Sequence, residues 1–79
     1  MKTSVLTTRE TERERMAQGI YSGARLLTTA HTYPDVPSRD RDIYALAEGY
    51  ERRHPDTLGL VVGLGDSPPT ITVTVALPA

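Results

Sequence analysis

The chain has 79 residues, a formal net charge of −1 and no cysteine, so it reads as one domain with neither a disulfide framework nor a thiolate metal site. The slight acidic balance lacks the basic excess of a nucleic-acid binder. No apolar run approaches the roughly 20 residues of a membrane span, and "MKTSVLTTRE" lacks the apolar core of a signal peptide. The cytoplasm is the expected location.

Residues 3 to 6, "TSVL", suit a short strand. Thr7 followed by Glu10, and Thr11 followed by Glu14, match capping boxes. The stretch "RETERERMAQGIYSGARLLTTAH" then predicts a long first helix, because Met16, Ile20, Gly23, Leu27 and Ala30 recur at three- and four-residue steps. Gly19 and Gly23 lie four apart on it, a spacing that suits close approach of another backbone. Its first two turns, Arg9 to Arg15, contain no apolar residue and read as a solvated face with Glu10–Arg13 and Glu12–Arg15 pairs.

"HTYPDVPSRD" breaks the pattern with Pro34 and Pro37. A second helix follows in "SRDRDIYALAEGYERRH", capped by Ser38, with Ile43, Leu46, Ala47 and Tyr50 as its buried stripe. Asp40 and Asp42 then fall in its first turn and Arg52 and Arg53 in its last, as the helix dipole favours. Tyr21 and Tyr44 flank the buried stripes of their helices.

Two runs with period two close the chain. Leu58, Leu60, Val62 and Leu64 alternate with Thr57, Gly59, Val61 and Gly63; Ile71, Val73, Val75 and Leu77 alternate with threonines and Ala76. "GDSPP" between them makes a hairpin with one apolar face. A phosphate loop is excluded by context, since Gly63-Leu-Gly65 opens no helix and no Gly-Lys-Ser/Thr follows. The expected class is α+β in the order (β)-α-α-β-β, two helices on one face of a small antiparallel sheet.

No catalytic constellation stands out. His31 and His54 each end a predicted helix, where the dipole accounts for a cation. Neither has partners at metal-ligand spacing, and no nucleophile elbow supports a Ser-His-Asp arrangement. The expectation is a non-enzymatic binding module without cofactor or metal.

In size, lack of cysteine and lack of any catalytic motif, the chain is similar to the small phage-encoded inhibitors, anti-CRISPR proteins among them. That resemblance implies a protein that blocks a host nucleoprotein complex by occupying a surface. Acidic residues facing a basic channel would then carry the contact: Glu10, Glu12, Glu14, Asp35, Asp40, Asp42, Glu48 and Glu51. The partner surface is placed on the second helix and the segment before it, at Tyr33, Asp35, Asp40, Asp42, Tyr44, Glu48 and Glu51, where carboxylates for steering lie among tyrosines for anchoring. Two alternatives stay open: a nucleic-acid-binding transcription regulator, and a self-assembling structural or virion protein, such as a homodimer, joined through the Thr-rich C-terminal strand if that strand lies at a sheet edge.

Overall fold

Six elements follow one another in the computed structural model, which describes residues 4–79: β1 (Ser4–Arg9), α1 (Glu10–Ile20), β2 (Arg25–Thr32), α2 (Val36–Arg53), β3 (Gly59–Asp66) and β4 (Pro69–Leu77). The architecture is α+β. The sheet is mixed rather than antiparallel as expected: the strand order is β1-β3-β4-β2, with β4 antiparallel to both β3 and β2, but β1 parallel to β3 because α1 and β2 intervene before the chain returns. The expected N-terminal strand is present, although Thr3 lies outside the described residues.

The expected order is corrected at one element. The long first helix ends at Ile20, and "RLLTTAHT" is strand β2 rather than helix. The chain leaves the helix through Gly23 in the left-handed region, φ +84°, a conformation glycine adopts without steric cost. Beyond it, Thr28 and Thr29 are β-branched, and eight consecutive residues pair with β4, from Arg25 opposite Leu77 to Thr32 opposite Thr70. Gly19 meets no neighbouring backbone. His31 accordingly lies within a strand and not at a helix end.

The helices cover opposite faces of the sheet, not one. Leu60, Val62, Ile71, Val73, Val75 and Leu77 point toward α2 and form the main core with Tyr50, and the half-buried Tyr33, Ile43, Leu46 and Leu64 pack against it. Strand side chains alternate, so Gly59, Val61, Gly63, Thr72, Thr74 and Ala76 point the other way. That second face is buried under α1, whose Ala17 is fully buried. Its small residues let the helix lie close: the Tyr21 ring sits on Gly59, and Glu10 and Arg13 sit on Gly63.

The first turns of α1, read from sequence as a solvated face, therefore pack one side on the sheet, with Glu10 and Arg13 half-buried. Both expected ion pairs form, Arg13 with Glu10 at 3.2 Å and Arg15 with Glu12. The predicted capping boxes are not used; Arg9 precedes the helix without a side-chain cap.

The hairpin is as expected, with β3 and β4 in register from Gly59 opposite Ala76 to Asp66 opposite Pro69. Leu58 falls outside β3 and is exposed. The Thr-rich β4 is an interior strand, because β2 adds to its far side; the sheet edges are β1 and β2.

Candidate binding surface

Helix α2 begins one turn earlier than its sequence pattern implies. Asp35 is the cap, its carboxylate accepting the Ser38 N–H at 2.8 Å, and Pro37 occupies the first turn. That backbone hydrogen bond holds the Asp35 carboxyl below its ordinary pKa. Ser38 is thus the donor in the cap, and Asp40 and Asp42 lie in the second turn. At the other end Arg52 and Arg53 complement the dipole as expected.

The inner side of α2 is fixed by polar bonds as well as by packing. Ala47 and Tyr50 are buried. The Tyr50 hydroxyl and His31 Nε2 are 2.8 Å apart, their rings meet edge to face, and the Arg53 guanidinium lies 4.5 Å from the Tyr50 ring centroid. Tyr33 donates its hydroxyl to Asp42 at 2.5 Å. Burial, followed by that bond and the charge of Asp42, pushes the Tyr33 phenol up to about 12.

Arg39 is 6% exposed. It donates to the Gly65 carbonyl and to Asp66 and Asp40, tying α2 to the end of β3, and these bonds hold its guanidinium charged. Sequence reasoning missed Arg39, although it lies on the inner stripe at four, seven and eleven residues before Ile43, Leu46 and Tyr50.

The seven residues assigned to a partner surface divide by position. Asp35 caps the helix, and Tyr33 and Asp42 are bound to each other. Asp40, Tyr44, Glu48 and Glu51 are separated by four, four and three residues, which places them within one stripe along the outer side of the helix. Tyr44 is 82% exposed and does not flank the buried stripe as expected. Of the charges beside it, Asp40 accepts two bonds from the buried Arg39, and Glu48 lies 3.8 Å from Arg52 in an exposed pair.

A separate cleft of about 320 Å³ opens between α1 and β2. Ala17, Gln18 and Leu26 line it together with Arg13, whose guanidinium donates to Thr74 Oγ1 at 2.5 Å. Among the described residues, no three His, Asp or Glu side chains converge as an ion site, and no helix is long and apolar enough to cross a membrane. No protein-family model, no curated protein and no solved structure matches the chain.

Proposed function

We propose that the chain is a protein-binding module that inhibits a larger host complex by occupying one of its surfaces, with the outer face of α2 making the contact. The observation that carries this reading is Tyr44. Tyr21, Tyr33 and Tyr50 are each buried or half-buried, whereas Tyr44 is 82% exposed. A large aromatic ring held on a rigid helix between carboxylates suits a hot spot, since it offers contact area at small entropic cost. The carboxylates at Asp40, Glu48 and Glu51 suit a basic partner surface, such as the nucleic-acid channel of a CRISPR-type complex, and would speed encounter by electrostatic steering.

The test is affinity capture from the native host's lysate, followed by target-DNA cleavage assays on the captured complex. The reading expects a stoichiometric partner whose activity falls when the protein is added, and no such inhibition by a Tyr44→Ala variant. Failure to capture any stoichiometric partner, with turnover by the protein itself on a substrate panel, would contradict it.

A further inference from the structure

Strand β2 is an edge without the usual protection. Leu26, Leu27, Thr28, Thr29 and Ala30 carry no charge and no proline, whereas natural edges are commonly blunted by both. The helices pack chiefly on β1, β3 and β4, so most of β2 is exposed: Leu26 lines the cleft beside α1 and His31 meets Tyr50 of α2, while Leu27 is 42% exposed. The opposite edge, β1, has six described residues against eight in β2.

The backbone of β2 has a definite polarity across the strand. The Tyr33 N–H donates to the Pro69 carbonyl at 2.8 Å. Antiparallel ladders alternate, so the odd-numbered residues direct their backbone groups toward β4. Leu26, Thr28, Ala30 and Thr32 direct theirs outward.

We infer that β2 is a self-association edge, at which two copies of the chain pair β2 antiparallel about a two-fold axis through Thr29 and join their sheets into one. A two-fold axis perpendicular to the sheet sets same-face residues opposite one another. With the axis at Thr29, Leu26 faces Thr32 of the second copy and Thr28 faces its Ala30. Each of these outward residues exchanges both its N–H and its C=O, about eight bonds in all. Leu27 then faces His31, Arg25 faces Tyr33, and no like charges oppose each other. An axis at Thr28 leaves Thr32 unpaired and sets Arg25 against His31. The same residues thus complete both sides of the ladder, which is why a second copy fits this edge without any other molecule. One strand pair lies at the small end of specific interfaces, so the dimer is weak and concentration-dependent. It would present the outer faces of two α2 helices, although the pairing does not depend on their role.

The chain has no cysteine, so Thr29→Cys introduces a single thiol. Across the axis Thr29 forms a non-hydrogen-bonded pair with Cα atoms about 4.5 Å apart, within the reach of a disulfide. Under mild oxidation Thr29→Cys is expected to cross-link to a dimer far faster than Thr7→Cys on β1. Sedimentation of the unmodified protein is expected to show reversible dimerisation. Thr29→Lys, which sets two like charges face to face at an exposed position, is expected to weaken the dimer roughly tenfold or more with an unchanged monomer melting temperature. A strict monomer at every concentration overturns the inference. So does a dimer indifferent to Thr29→Lys, or equal cross-linking at Thr29 and Thr7.

Discussion

The Tyr33 hydroxyl donates to the Asp42 carboxylate at 2.5 Å, joining the segment before α2 to the second turn of that helix. Burial and, after it, this bond favour the neutral phenol, whose pKa rises from 10.0 to about 12. A folded-state pKa above the unfolded one means stability that is fully present below about pH 10 and lost as pH rises toward 12. Tyr33→Phe should therefore cost about 1–2 kcal/mol near neutral pH and should flatten the loss of stability between those limits. Urea titrations at several alkaline pH values, with ultraviolet detection of phenolate, measure both effects; an unaltered alkaline profile in Tyr33→Phe contradicts the assignment.

Gly59 lies under the Tyr21 ring, where an added Cβ would overlap it. Gly59→Ala should thus displace the Tyr21 ring from β3 and destabilise the protein by about 1–3 kcal/mol. Gly19→Ala, in a helix and with no neighbour, should stabilise it by up to about 1 kcal/mol. Thermal melts of the two variants should move in opposite directions.

Arg39 is buried against three acceptors on α2 and the end of β3. Arg39→Met leaves the Gly65 carbonyl and two carboxylates without their donor, and should lower the denaturation midpoint. Arg39→Lys keeps the charge but not the forked donors, and should fall between the two. A midpoint for Arg39→Met equal to that of the unmodified protein would show that the network contributes nothing.

Where a buried face alternates regularly, the sequence revealed the structure. Ile43, Leu46, Ala47 and Tyr50 marked the inner side of α2, and Leu60, Val62, Ile71 and Val73 marked the hairpin. β2 was hidden because it is an edge whose residues are mostly exposed on both faces, so no alternation records it. Its Leu27 and Ala30 happen to continue the helical spacing of Met16 and Ile20. The second buried face of the sheet was hidden for a different reason. Gly59, Gly63, Thr72 and Thr74 look like a solvated row, yet small side chains are what allow α1 to lie there. The row Asp40, Tyr44, Glu48 and Glu51 was legible in part, since helical spacing aligns it. The bonding of Tyr33 to Asp42 needed the tertiary fold.

The central claim, that the outer face of α2 is the binding surface, is tested most directly by partner affinity measured alongside melting temperature. Tyr44→Ala, and Glu48→Lys with Glu51→Lys, are compared with Glu12→Lys and Glu14→Lys on α1. A hot-spot tyrosine contributes about 2 kcal/mol or more, which is roughly thirtyfold in affinity. The account predicts a loss of that size for Tyr44→Ala, a clear loss for the α2 reversals, little change for those on α1, and melting temperatures near that of the unmodified protein throughout. Full affinity in both α2 variants would contradict it.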